Sequence, residues 1–157
     1  MSSRKSKNKL KTKRKKRVKF RNKFGVSYTR TSAHGIYKGI KYESCLELAT
    51  ILHCENLGLK IARPDIQPTI RYLSSKDAKI HRYYPDFIVE DFLVLEVKGF
   101  FAKNKLASIF EKQAALDRYC RENGLWSMMI TSDMLSETWL RSSRKIHKAL
   151  SAKTKKK

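Results

Sequence analysis

Residues 82–98 read RYYPDFIVEDFLVLEVK, and this stretch decides the fold because it predicts two strands that pair as a hairpin. Two runs of β-branched, aromatic and apolar residues lie on either side of Glu90 and Asp91, and such runs are typical of strands. The short charged interruption between them predicts the connecting turn. We therefore expect both runs to lie side by side in the central sheet.

Two carboxylates, Asp86 and Glu96, and one lysine, Lys98, lie in the two strand-like runs of this hairpin. The period of two along a strand places Glu96 and Lys98 on one face, and pairing of the two runs brings Asp86 beside Glu96. Oxygen ligands of this kind suit Mg²⁺ or Mn²⁺, which bind through one or two carboxylates plus a substrate phosphate. A neighbouring lysine can orient or deprotonate a water, and the backbone carbonyl of Val97 can supply a further ligand. The spacing predicts a nuclease-type metal site.

A purely structural interpretation exists for the same residues. Asp86 can end a strand after Pro85, and Glu96 with Lys98 can form an ordinary same-face ion pair worth ~0.2–1 kcal/mol on a solvated sheet edge. However, Glu96 interrupts an almost unbroken apolar run. A buried charge is costly there unless it is paired or bound to a metal, so the run favours the metal site.

The positive charge of the chain is concentrated at its two ends. The net charge is +22 over 157 residues, yet residues 25–140 hold 15 basic residues against all 14 acidic ones. Residues 1–24 carry thirteen Lys or Arg and residues 141–157 carry eight, in both cases without an acidic residue. Lysine runs such as those at 9–20 and 151–157 repel themselves and bury little, so we expect the arm of residues 1–24 and the end of the second tail to be disordered and to bind DNA. The predicted DNA-binding residues of the first tail are Lys13, Arg14, Lys15, Lys16, Arg17, Lys19, Arg21 and Lys23.

Composition argues against several other classes of protein. An amphipathic membrane anchor needs a wide apolar face that residues 1–24 lack, and no run of about 18 apolar residues is present to span a membrane. No apolar stretch follows the first charges as in a signal peptide, so the expected location is the cytoplasm of a bacterium or a phage-infected cell. The lysine run is also typical of a nuclear-targeting patch. Three cysteines without C-x-x-C spacing argue against a disulfide scaffold or a structural zinc site.

The periodicity along residues 25–140 predicts one α/β domain with elements in the order α, β, β, β, α, β, α. A loop or short hairpin is expected before the first helix, and Gly58 is placed to end that helix. Helices are predicted over 42–57 and 104–122, and strands over 67–73, 82–89, 92–98 and 125–131. A last helix is predicted to be capped by Ser132 or Asp133 and to run into the basic tail of residues 141–157.

A third carboxylate, Glu47, has two interpretations. Ser44 and Glu47 form a capping-box pattern, in which Ser44 is the N-cap and Glu47 reaches back to it. Alternatively, Glu47 leans from the start of the helix into the site of Asp86 and Glu96. Glu43 lies one turn earlier and is an alternative for the same role.

These motifs together resemble the PD-(D/E)XK nuclease superfamily. The matching residues are Y-P-D-F at 84–87, E-V-K at 96–98 and an upstream S-x-L-E at 44–47. The phage endonuclease I family, which resolves branched DNA, is similar in these motifs, in size and in its basic ends. The TnsA endonucleases of cut-and-paste transposons are similar in S-x-L-E-L-A and in a Gln-Pro strand entry, but have an amide where this chain has Glu96. Phage head-completion nucleases share the R-Y-x-x-D-F pattern.

The resemblance covers roughly residues 40–132 and implies a restriction-endonuclease-like core of order α-β-β-β-α-β, with a mixed central sheet flanked by helices. It implies a Mg²⁺-dependent DNA endonuclease, with Mn²⁺ as a substitute, and a possible homodimer. The implied catalytic residues are Glu47, Asp86, Glu96 and Lys98, and the first three together with Val97 are the implied metal ligands. Alternatives are a TnsA-like transposition subunit, a homing-type endonuclease, and a non-catalytic basic nucleic-acid-binding protein.

Overall fold

The computed structural model describes residues 19–21, 27–29, 33–66, 69–99 and 106–154. Strands β1 (Lys19–Arg21) and β2 (Ser27–Thr29) pair antiparallel in an N-terminal unit that ends at Ser32. Lys19 and Arg21 of the predicted DNA-binding arm thus lie in a strand. The other predicted DNA-binding residues lie outside the described residues; they are Lys13, Arg14, Lys15, Lys16, Arg17 and Lys23.

The second unit begins at Ala33 with a short hairpin, as the sequence predicts. Strands β3 (Gly35–Tyr37) and β4 (Ile40–Tyr42) pair antiparallel. Their two-residue turn needs positive φ angles, which Lys38 (47°) and Gly39 (84°) adopt. Strand β4 therefore begins directly after these two residues.

Helix α1 spans Cys45–Asn56, so the predicted start at Tyr42 is wrong because that residue still pairs within β4. Ser44 is the N-cap, since its side chain accepts a hydrogen bond from the Glu47 N–H. Gly58, with a φ of 72°, follows the last turn and ends the helix as predicted.

A mixed four-stranded sheet forms the centre of this unit. Its strands are β5 (Ile61–Ala62), β8 (Phe87–Val89), β9 (Leu93–Lys98) and β10 (Trp126–Thr131). Strand β9 pairs antiparallel with β8 and parallel with β10, while β5 pairs antiparallel with the other edge of β8. The described residues also form three helices, so the predicted mixed α/β class is confirmed. The short strand β5 was not predicted.

The run predicted as one strand over 82–89 is divided in the structure. Its first part belongs to β7 (Lys79–Tyr83), which pairs with β6 (Ile70–Ser74) in a hairpin separate from the central sheet. Pro85 lies in the break, because proline has no N–H to donate and restricts the residue before it. The second part is β8, and its tight turn into β9 places Glu90 and Asp91 at φ angles of 50° and 59°. The predicted hairpin of β8 and β9 is confirmed.

Helix α2 spans Leu106–Glu122 and ends before Gly124, which has a φ of 66°. Helix α3 spans Glu137–Thr154, so it covers most of the predicted basic tail. Ser132 and Asp133 do not cap it, because they lie in a turn that precedes the helix by several residues. The predicted cap is wrong because the chain makes a turn directly after β10, and helix α3 begins only after that turn.

Two apolar clusters lie on opposite faces of the sheet. Helices α1 and α3 pack on the face that carries Leu95 and Val97. Helix α2 and the β6–β7 hairpin pack on the face that carries Val94. Because side chains alternate along a strand, Glu96 and Lys98 share the face of Val94. The candidate site therefore lies on the side of α2 and the β6–β7 hairpin.

Candidate active site

Asp86 lies directly before β8, opposite Glu96. Its backbone N–H donates to the Leu95 carbonyl over 3.0 Å, and the pairing of Phe87 with Leu95, extended by one residue, sets Asp86 across from Glu96. The Val97 N–H donates to Asp86 Oδ2 over 2.7 Å. This register places the two carboxylates next to each other, as the sequence predicts.

The environment of Asp86 disfavours its negative charge. Burial, followed by the charge of Glu96, raises the pKa of Asp86 to about 7, with a smaller contribution of the same sign from Glu47. The Val97 N–H and the Lys98 ammonium act in the opposite direction but do not outweigh them. Crowded carboxylates of this kind attract a cation, and perturbed pKa values of this origin are common at functional sites.

Glu96 is only 3% exposed, although it is charged. Lys98 Nζ forms an ion pair with Glu96 Oε1, and the Tyr83 hydroxyl donates a hydrogen bond to Glu96 Oε2. Burial and the Glu96 charge raise the pKa of Tyr83, so it remains a donor at neutral pH. Both carboxylate oxygens therefore have a partner, and the predicted contact between Glu96 and Lys98 is present.

Tyr83 was missed by the sequence analysis. A tyrosine in an aromatic run is typical of any strand, so nothing local separates it from its neighbour Tyr84. Its role depends on the break at Pro85, which ends β7 and lets the Tyr83 side chain reach across to β9. The one indication in the sequence was Glu96, because a buried carboxylate needs a hydrogen-bond donor nearby.

Val97 contributes to the site through its backbone. Its side chain is buried in the opposite cluster with α1 and α3, while its N–H binds Asp86. The N–H contact fixes the orientation of the Asp86 carboxylate. That the Val97 carbonyl acts as a metal ligand stays a prediction.

Glu47 is the capping residue that the sequence pattern describes. It is 6% exposed; its Oε1 accepts from the Ser44 hydroxyl at 3.0 Å and its Oε2 accepts from the Glu43 N–H at 2.9 Å. Glu43, the alternative helix carboxylate, is exposed and pairs with Lys41 at 3.0 Å. Of the two, Glu47 is thus the one directed inward, and a metal-binding role for it stays a prediction.

Arg63 links Glu47 to Asp86, a contact that no sequence pattern predicts. Its Nη2 lies 2.7 Å from Glu47 Oε2, and its Nη1 donates to the Asp86 carbonyl at 3.0 Å and lies 3.7 Å from Oδ1. The guanidinium also stacks over the Phe87 ring, 4.7 Å from its centroid. Arg63 follows a two-residue strand and shows no periodic pattern, so only the fold reveals its partners.

The donor chemistry of this site fits a hard divalent cation. Asp86 and Glu96 supply carboxylate oxygens, and their mutual repulsion would be relieved by a positive charge. Within the described residues, no group of three or more His, Cys, Asp or Glu side chains is arranged to hold a metal. A pair of carboxylates is nevertheless a common protein contribution for Mg²⁺, because waters and substrate phosphates complete its shell.

The chain matches no protein-family model, no curated protein and no solved structure. No helix in the described part of the chain is long and apolar enough to cross a membrane.

The pKa of Asp86 predicts how the stability of the metal-free protein depends on pH. Between pH 3.8, the ordinary value, and about 7, the folded protein keeps a proton that the unfolded chain has released. The free energy of unfolding therefore falls as the pH rises through this window and is level above it. Each pKa unit is worth about 1.4 kcal/mol, and about two units of this window lie above pH 5. Between pH 5 and pH 8 we therefore expect the wild type to lose about 2–3 kcal/mol of unfolding free energy, a loss that Asp86→Asn removes.

Urea unfolding in EDTA at pH 5 and pH 8 measures this effect. Asp65→Asn, at an exposed aspartate, is the matched control and should keep the wild-type pH dependence. If Asp86→Asn and the wild type lose the same stability between the two pH values, then Asp86 is not the group that titrates.

Arg63→Ala should destabilise the fold because it leaves the buried Glu47 charge without its guanidinium partner. Breaking a buried pair on one side is costly; since Arg63 is one-third exposed, we expect about 1–3 kcal/mol by chemical denaturation. The control is Arg141→Ala, which breaks the exposed pair with Glu137 and should cost less than about 0.5 kcal/mol. Equal losses in the two variants would show that Arg63 is an ordinary surface residue.

Proposed function

We propose that this chain is a Mg²⁺-dependent DNA endonuclease of the PD-(D/E)XK type, with Mn²⁺ as a substitute. The observation that carries the proposal is the group formed by Asp86, Glu96 and Lys98. The buried Glu96 on β9 and the half-buried Asp86 directly before β8 lie opposite each other. Lys98 contacts Glu96, and the pKa of Asp86 is raised. A fold has no need of such a group for its stability, because burying like charges is unfavourable.

The residues have separate roles in this proposal. A bound Mg²⁺ would neutralise charge on the scissile phosphate and lower the pKa of an attacking water. Asp86 and Glu96 would hold the ion, and the Val97 N–H and the Tyr83 hydroxyl keep their carboxylates in position. Lys98, which is partly exposed, can donate a hydrogen bond to the attacking water or to the developing negative charge.

The order of the elements supports the proposed restriction-endonuclease-like core. Five strands, β5 to β9, lie between α1 and α2. When only the strands of the central sheet are counted, α1 is followed by β5, β8 and β9, then by α2 and by β10, which is parallel to β9. That order agrees with the α-β-β-β-α-β order that the resemblance implies, and the separate β6–β7 hairpin lies between β5 and β8 in the chain.

DNA is the proposed substrate because the charge of the chain is extreme and is located at the ends. Twenty-one of the 36 Lys and Arg residues lie in residues 1–24 and 141–157. Phosphate contacts from such segments give affinity without reading sequence. Branched DNA and transposon ends are both compatible with this partner, and a homodimer would allow both strands to be cut.

Incubation of supercoiled plasmid with the full chain tests the proposal. We expect nicked and linear products with Mg²⁺ or Mn²⁺, and none with EDTA. A gel shift without any cutting in either metal would contradict the proposal and favour a non-catalytic nucleic-acid-binding protein. A panel of linear duplex and a four-way junction then identifies the preferred substrate.

A further inference from the structure

The β6–β7 hairpin has one face packed against the domain and one face open to solvent. On the packed face, Tyr72 stacks on His81 with ring centroids 5.6 Å apart, and Lys112 of α2 lies 5.8 Å from the centroid of the Tyr72 ring. Ile70 and Tyr83 on the same face are buried in the cluster with α2. Within the described residues, this face of the hairpin packs on α2.

The open face carries two pairs of directly opposed residues. Arg71 is opposite Arg82, and Leu73 is opposite Ile80. Both arginines are exposed. Leu73 and Ile80 are 64% and 71% exposed, high fractions for aliphatic side chains. The face thus combines two positive charges with an aliphatic pair.

The fold does not explain the arginine pair. Like charges directly opposite each other on paired strands are destabilising. Neither guanidinium forms an ion pair with a described carboxylate, and Asp77, the acidic residue of the hairpin, instead pairs with His81 at 3.0 Å. An external anion would relieve the repulsion.

We propose that the open face of the β6–β7 hairpin binds the nucleic-acid backbone, with Arg71 and Arg82 on phosphates and with Leu73 and Ile80 against the sugars. This inference rests on the proposed function for its ligand, DNA, and adds a contact surface outside the basic tails. The face is coupled to the candidate site because Arg82 directly precedes Tyr83, whose hydroxyl holds Glu96. A backbone bound here would be held in a fixed relation to the residues that cut it.

The test compares two full-length double variants that lose the same charge. Arg71→Gln with Arg82→Gln removes the pair, and Arg118→Gln with Arg121→Gln removes two exposed arginines of α2 as the control. Affinity for a fluorescent duplex is measured in EDTA over a range of salt concentrations. Each lost phosphate contact lowers the slope of log K against log salt by ~0.9, so the hairpin variant should lose ~2 in slope and the control should lose little. An unchanged slope, or an equal loss in the control, would overturn the proposal.

The thermal midpoint separates binding from a structural role. Removal of an opposed like-charge pair should leave the melting temperature of the hairpin variant unchanged or raise it. A melting temperature lowered by several degrees, or a dimer lost in sedimentation, would overturn the proposal in favour of a packing face or a contact between two copies. The proposed nuclease activity and the proposed binding face can fail separately. The Mg²⁺ plasmid assay on the wild type tests cutting alone, whereas the double variants test binding at the hairpin.

Discussion

Asp86→Asn is expected to abolish Mg²⁺-dependent cutting while DNA binding survives. Asparagine has the same shape and can still accept the hydrogen bond from the Val97 N–H, but it lacks the charge that holds a divalent cation. Metal-ion catalysis supplies several kcal/mol of transition-state stabilisation, so plasmid nicking should fall by at least about 10³-fold. Affinity for DNA without metal should hold or rise, because a negative charge that faces phosphate is removed.

The control for this variant is Asp65→Asn, which removes one exposed carboxylate and should cut at the wild-type rate. Glu96→Gln should behave as Asp86→Asn does, because both side chains are proposed to hold the same ion. Nicking at the wild-type rate by Asp86→Asn would show that the site is misassigned.

Lys98→Met should lower the rate of cutting by about 10²–10⁴-fold while Mn²⁺ binding is retained. Methionine keeps the apolar stem but removes the ammonium that contacts Glu96. The lost interaction acts on the water or the developing charge, whereas the two carboxylates remain to hold the metal. A titration that shows Mn²⁺ binding lost in Lys98→Met and kept in Asp86→Asn would reverse the roles proposed for these residues.

The local parts of the site could be predicted from the sequence because each depends on a short-range pattern. The charged interruption at Glu90 and Asp91 sets the β8–β9 register, and that register alone places Asp86 opposite Glu96. The period of two brings Lys98 to Glu96, and the spacing of Ser44 and Glu47 gives the cap of α1.

The remaining parts could not be predicted because they depend on contacts between distant segments. Arg63 meets Glu47 and Asp86 only after α1 and β8 have packed on either side of it. The separation of β7 from the central sheet depends on how β6 packs on α2, and aromatic and β-branched residues in the run 82–89 fit a continuous strand equally well. Tyr83 gains its role only from that separation.

A calorimetric titration of the metal-free full chain with Mn²⁺ at pH 8 tests the central claim most directly. The claim is that Asp86 and Glu96 hold a divalent cation, and at this pH the Asp86 carboxyl, with a pKa of about 7, is ionised and able to bind. We expect the wild type and Asp65→Asn to bind Mn²⁺ and the double variant Asp86→Asn with Glu96→Gln to show no binding. Equal affinity and stoichiometry in the wild type and the double variant would contradict the account.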